Sequence, residues 1–120
     1  MKKVRATNPE LVTLIQSLKK KSRENQVAIW RYLADRVSAS KRRRIAINVS
    51  RLNRHTKEGE TVAVPGKVLG AGIVDHPINV AAFAFSDQGR SKILGAKGKC
   101  FSIQALIEEN PKGTNVKVIG

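Results

Sequence analysis

The chain has 120 residues, 23 of them Lys or Arg against 9 Asp or Glu, for a formal net charge of +14. That length suits one domain, and 41% apolar residues suffice for a modest core. Cys100 is the only cysteine, which excludes a disulfide framework, and Cys100, His55 and His76 cannot complete a cysteine-rich structural zinc site.

Met1-Lys2-Lys3 leads into a polar stretch, so no secretory signal is expected. The longest apolar run, Val80 to Phe85, is far short of the roughly 18 residues that cross a bilayer. The expectation is a small, soluble, intracellular and strongly basic protein. Its charge is unevenly spread. Residues 1–57 hold 16 cations and 3 acids, whereas residues 58–120 hold 7 and 6. Such an excess costs self-repulsion in a compact fold, and a polyanion relieves it through counterion release. Nucleic acid is the favoured partner over an acidic membrane surface, an acidic protein or mere solubility.

In chain order, Asn8-Pro9-Glu10 reads as a helix start, with a cap, a tolerated proline and an acid near the positive end of the dipole. Leu11, Leu14, Ile15 and Leu18 form one apolar stripe, and Lys19-Lys20-Lys21 is expected to close that helix. A second helix fits Val27 to Val37, with Ile29, Trp30, Leu33 and Val37 inward. Trp30 and Tyr32 are the aromatic candidates for stacking on bases, but the spacing of Trp30 beside Ile29 and Leu33 predicts a core position. Ser38-Ala39-Ser40 breaks the pattern. Lys41 to Arg44 then cannot all face a core, and the run reads as a phosphate-contacting arm.

Ile45, Ile47 and Val49 alternate with Ala46, Asn48 and Ser50 and predict a short extended segment through Ser50. Thr61 to Val64 reads as a strand, Pro65-Gly66 as a turn, Lys67 to Leu69 as extended and Gly70-Ala71-Gly72 as a tight bend. Val80 to Phe85 is a buried strand. Ser86 caps a helix that Gly95 stops, Lys99 to Phe101 is a strand, and Ser102 caps a helix halted by Asn110-Pro111. Val116 to Ile119 closes the chain as a strand. The alternation indicates an α/β fold with a basic helical region in front. Residues 1–57 form the basic helical and arm region, and residues 58–120 the compact core, within one structural unit.

The nucleotide-binding motifs fail. Gly66-Lys67 lacks the upstream glycine and has Val68 where a magnesium-binding hydroxyl belongs. Gly70-Ala71-Gly72 has Asp75 at the third glycine position of a dinucleotide fingerprint. With no nucleophile elbow, paired histidines or promising acid pair, no enzyme activity and no cofactor are expected, and His55 reads as one more polar contact.

The run Ser40 to Arg44 followed by Asn48-Val49-Ser50-Arg51-Leu52 resembles the signature of large-subunit ribosomal protein eighteen of the archaeal and eukaryotic series. Val64 to Gly70, Phe85-Ser86, Arg90, Ile93-Leu94, Lys97-Gly98-Lys99 and Asn110 to Gly113 are similar to that family in the same order. The stretch Lys67 to Gly98 is also similar to bacterial large-subunit ribosomal protein fifteen, which implies a shared domain. Gly89 departs from the alanine usual in that shared pattern, which predicts a helix that begins late. The end at Gly120, without the long basic extension of eukaryotic members, points to an archaeal form.

The resemblance implies irregular strand-strand-helix superhelical turns preceded by helices, and a cytoplasmic, structural role in the large ribosomal subunit. Its implied partners are large-subunit rRNA and neighbouring ribosomal proteins, with no membrane and no small-molecule substrate. The charge map then nominates RNA contacts. In the first half these are Lys2, Lys3, Arg5, Lys19, Lys20, Lys21, Arg23, Lys41, Arg42, Arg43, Arg44, Asn48, Arg51, Arg54, His55 and Lys57. Lys67, Lys97, Lys99 and Lys112 follow in the second half. The competing reading is a DNA-binding regulator using the first two helices as a helix-turn-helix, although Ser22 to Gln26 lacks the glycine often found in such turns.

Overall fold

The computed structural model describes residues 9–37 and 45–119. The expectations for Asn8, for Lys2, Lys3 and Arg5, and for the whole run from Ser38 to Arg44 lie outside the described residues.

Helix α1 spans Pro9–Asn25 and α2 spans Ala28–Val37. The three lysines do not close α1, which continues through them to Asn25. Lys, Arg and Glu are good helix formers, and Glu24 takes charge from both Lys20 and Lys21. The stop comes at Gln26, in the left-handed region at φ 54°, where the Val27 N–H reaches back to the Ser22 carbonyl. Leu14, Ile15 and Leu18 of α1 pack with Trp30, Leu33 and Ala34 of α2. Trp30 is therefore core, as its spacing predicts, and its indole Nε1–H donates to the Pro111 carbonyl at 2.7 Å.

Strand β1 covers Ile45–Asn48, and the expected extended segment ends there, because Val49–Arg54 is helix α3. In so short a run, alternation and helical spacing cannot be told apart. Burial of Val49 with Leu52, three residues apart, decides for the helix. Strand β2 runs unbroken over Thr61–Leu69, so Pro65-Gly66 is not a turn. The pair sits inside the strand, where the register against the next strand shifts between Val64 and Lys67. Such an irregularity accommodates a residue that has no N–H for the ladder.

Strand β3 (Asn79–Phe85), helix α4 (Asp87–Gly95), strand β4 (Lys99–Ser102), helix α5 (Ile103–Glu109) and strand β5 (Val116–Val118) complete the chain. Both expected serine caps are formed. Ser86 Oγ accepts from the Gly89 N–H at 3.0 Å and Ser102 Oγ from the Ala105 N–H at 3.1 Å, each worth about 1 kcal/mol. Gly95 ends α4, but the left-handed residue that turns the chain is Lys97, at φ 67°. Its N–H bonds the Leu94 carbonyl and that of Gly98 bonds the Ile93 carbonyl, the paired bonds of a Schellman turn.

All strand pairs are parallel, in the order β1-β2-β3-β4. The outer edge of β2 is divided between two strands. β5 pairs with Thr61 to Ala63, and β1 with Gly66 to Leu69. Successive residues of the strands feed opposite layers, because side chains alternate across a sheet. Ala63 and Ala81 lie under α1, α2 and α5, whereas Val62, Val64 and Val80 lie against α3 and α4. The α/β architecture is thus a sheet clad on both faces, with alanines where the helical hairpin approaches.

Gly89 does not delay α4, which begins at Asp87. A Cβ there would stand 2.9 Å from the Val68 carbonyl oxygen and 3.2 Å from the Leu69 carbonyl carbon, both backbone. Gly89→Ala gains about 1 kcal/mol of helix propensity but must push α4 off β2, an overpacking cost of about 1–3 kcal/mol. A lower denaturation midpoint is expected, and a higher one would show that the helix can shift freely.

Candidate nucleic-acid interface

The described cations of the first half occupy both layers. Lys19, Lys20, Lys21 and Arg23 ride on the last two turns of α1, outside the stripe that buries Leu14 and Leu18. Lys20 and Lys21 share Glu24 at 3.9 and 3.7 Å. Such exposed pairs contribute about 0–1 kcal/mol, so both ammonium groups remain available to a stronger anion. On α2, Arg31 pairs with Asp35 at 3.6 Å and the Arg36 guanidinium lies 4.7 Å from the centre of the Tyr32 ring. Arg31 and Arg36 lie outside the RNA contacts expected from the sequence. Their i,i+4 relation to Asp35 and Tyr32 on a helix face was the signal available. This mixed-charge face is also what the helix-turn-helix reading would have to place in a DNA groove.

Arg51, Arg54 and His55 are exposed on and just after α3, across the sheet from the hairpin. The main chain near Lys57 is tied down. The Lys57 N–H donates to Glu60 Oε1 at 2.6 Å, and Lys117 Nζ bridges the same carboxylate at 3.2 Å and the His55 carbonyl at 2.9 Å. These contacts, the Lys57 N–H foremost and the Lys117 side chain next, hold the Glu60 carboxyl below its ordinary range. Asn48 spends its side-chain oxygen on the Ala71 N–H at 3.1 Å.

Lys67 is exposed in a row with Ala46 of β1 and Ala84 of β3. Lys97 and Lys99 flank Gly98 at the α4–β4 connection, and Lys112 stands apart in the turn after α5. Lys92 and Arg90, absent from the nominated set, make internal contacts. Lys92 Nζ donates to the Gly72 carbonyl at 2.6 Å and Arg90 lies over Phe85 at 5.0 Å.

Among the described residues no cluster of three His, Cys, Asp or Glu is placed to hold a metal ion. One arrangement has the outline of a nucleophile triad. His76 Nε2 lies 2.8 Å from Thr56 Oγ1, and His76 Nδ1 lies 2.8 Å from Asp75 Oδ1. Thr56 is buried, however, and its hydroxyl proton goes to the Leu52 carbonyl at 2.7 Å, so the oxygen is not poised to attack.

The His76 hydrogen bond chiefly, and Asn53 next, hold the Asp75 carboxyl below the ordinary 3.8. A carboxyl lowered on folding stabilises the fold above its unfolded value and loses that contribution as pH falls through the lowered folded value. Melting temperatures of wild type and Asp75→Asn are therefore expected to differ at pH 7 and to converge as pH falls through the lowered Asp75 value. Parallel curves would dismiss this contact as a contributor.

Helices on both faces of a parallel sheet, with cations carried outward on helices and turns, define a small basic α/β protein that presents charge. The family described as "Ribosomal protein 60S L18 and 50S L18e" matches residues 1–120. The chain belongs to that family. A large ribosomal subunit protein eL18 of Methanospirillum hungatei is 49% identical over 113 residues, covering 94% of this chain and 93% of its own. The eL18 of Methanothermobacter thermautotrophicus is 46% identical over 119 residues, covering 99% and 98%. That of Archaeoglobus fulgidus is 42% identical over 116 residues, covering 97% and 99%.

Proposed function

We propose that the chain is a structural constituent of the large ribosomal subunit, which binds folded large-subunit rRNA through Lys and Arg contacts to phosphate and supports subunit assembly in translation. The observation that carries this reading is the near-full-length similarity to archaeal proteins named for the large ribosomal subunit. The charge of the chain supplies the physical means. Arginines such as Arg42, Arg43, Arg44, Arg51 and Arg54 offer forked donors to phosphate oxygens, and lysines such as Lys19, Lys67 and Lys99 offer point charges. Phosphate contacts set orientation, and recognition rests on the folded shape of the RNA and its 2′-hydroxyls. The basic region of residues 1–57 does most of the contacting and residues 58–120 serve as scaffold, with neighbouring ribosomal proteins as further partners. The work is binding, with no catalytic step, and its place is the ribosome in the cytoplasm.

Sedimentation of a cell extract through a high-salt sucrose gradient tests the proposal. The chain is expected in the large-subunit fractions. Recovery in free or DNA-bound fractions would reverse it.

A further inference from the structure

Helix α3 has six residues, fewer than the roughly 12–15 that an isolated helix needs. It also lacks a side-chain cap, because Asn48 stands at the N-cap position but directs its oxygen elsewhere. The segment 70–76, which follows β2, supplies what α3 lacks and runs beside it from end to end. At the start of the helix the Ala71 N–H donates to Asn48 Oδ1 at 3.1 Å while the Ser50 N–H donates to the Ala71 carbonyl at 3.2 Å. Near its end the Asp75 N–H donates to Asn53 Oδ1 at 3.1 Å.

Beyond the last turn, the Thr56 hydroxyl donates to the Leu52 carbonyl at 2.7 Å and lies 2.8 Å from His76 Nε2. The opposite ring nitrogen is held against Asp75 at 2.8 Å. The segment is itself anchored, since Lys92 Nζ grips the Gly72 carbonyl at 2.6 Å. Gly72 has φ +102°, and a Cβ there would overlap the Ser50 side chain, so the clasp closes only around glycine.

The outer side of the clasped helix carries Arg51 and Arg54 three residues apart, both exposed. Residues so spaced have Cβ atoms about 5–6 Å apart, within reach of neighbouring phosphates on one RNA strand. We infer that His76, by gripping Thr56 and Asp75, is a positioning residue for RNA, fixing α3 in the rotation that presents Arg51 and Arg54 to adjacent phosphates. The inference rests on the rRNA reading above. The His76 side chain is only 17% exposed, so it acts through the helix and not by meeting the RNA. Held guanidinium groups bind more tightly than free ones because less freedom is lost on contact.

The test uses the full chain and protein-stripped archaeal large-subunit rRNA, with affinity measured by filter binding over a series of KCl concentrations. Arg51→Ala with Arg54→Ala is expected to weaken binding about tenfold and to flatten the salt dependence by about 1.4–1.8 in log–log slope. His76→Ala is expected to reproduce most of that loss, and to add nothing when introduced into the Arg51→Ala/Arg54→Ala chain. Thr56→Val should act as His76→Ala does, whereas Thr56→Ser, which keeps the hydroxyl, should bind as wild type. This second pair decides the matter if His76→Ala does not fold.

Additive loss from His76→Ala in the double-arginine background, or equal binding by Thr56→Val and Thr56→Ser, overturns the positioning role while leaving the rRNA reading intact. Wild-type binding by the double-arginine variant overturns the positioning role by removing α3 from the interface. No binding of that RNA by the wild-type chain removes both readings together.

Discussion

Trp30→Ala is expected to remove about 3–5 kcal/mol of stability, a large share of what a domain of this size possesses. Trp30 is fully buried between α1, α2 and the sheet, among Leu14, Leu18, Leu33 and Leu106. It also hydrogen-bonds the helical hairpin to the far end of the chain, through its bond to the Pro111 carbonyl. Truncation leaves a cavity in the layer that holds the hairpin on the sheet, and it strands the Pro111 carbonyl. Trp30→Phe keeps most of the volume and loses the donor, so it separates the two contributions. A loss of about 1 kcal/mol is expected for it, the net worth of one hydrogen bond to a part-buried carbonyl. Chemical denaturation followed by circular dichroism measures both. A Trp30→Ala chain as stable as wild type would mean that the hairpin is not held by this core.

Replacing Arg42, Arg43 and Arg44 together with Ala is expected to weaken rRNA binding about a hundredfold at low salt. The log–log salt slope should flatten by about 2, since each lost phosphate contact on single-stranded RNA removes about 0.7. Stability should stay within about 0.5 kcal/mol of wild type, because four adjacent charged residues cannot all face a core. Four adjacent cations from Lys41 to Arg44 repel one another, and an RNA strand with its phosphates in series relieves that repulsion at every residue. Filter binding over a salt series reads affinity and slope together. An unchanged slope with weaker binding would move these residues out of phosphate contact, and unchanged affinity would end the arm hypothesis.

Legibility in the sequence followed the range of the interaction that carries each feature. Ser86 and Ser102 were readable as caps because the N–H they satisfy lies three residues on. The stripe Leu14, Ile15 and Leu18 and the inward Trp30 were readable because helical periodicity is local. The exposed cations were readable as charge, since no core admits them unpaired. Failures came where a distant segment decides. Asn48 reads as an RNA contact, and only the arrival of Ala71 turns its oxygen to another task. Nothing local in the sequence ties His76 and Asp75 to Thr56 and Asn53, which the fold brings beside them.

Composition and pattern by themselves determined the α/β class, both hairpin helices, the capped helices and the concentration of charge in residues 1–57. These rest on hydrophobic periodicity, caps and Coulomb repulsion, all properties of neighbours along the chain. Tertiary structure alone decided that Pro65-Gly66 stays within one strand, that Lys97 rather than Gly95 makes the turn, and that α3 is a helix at all. In each case the local preferences are nearly balanced. The balance is broken by a partner that only folding brings near: β3 beside Pro65, the Ile93 and Leu94 carbonyls behind Lys97 and Gly98, and the 70–76 segment along α3.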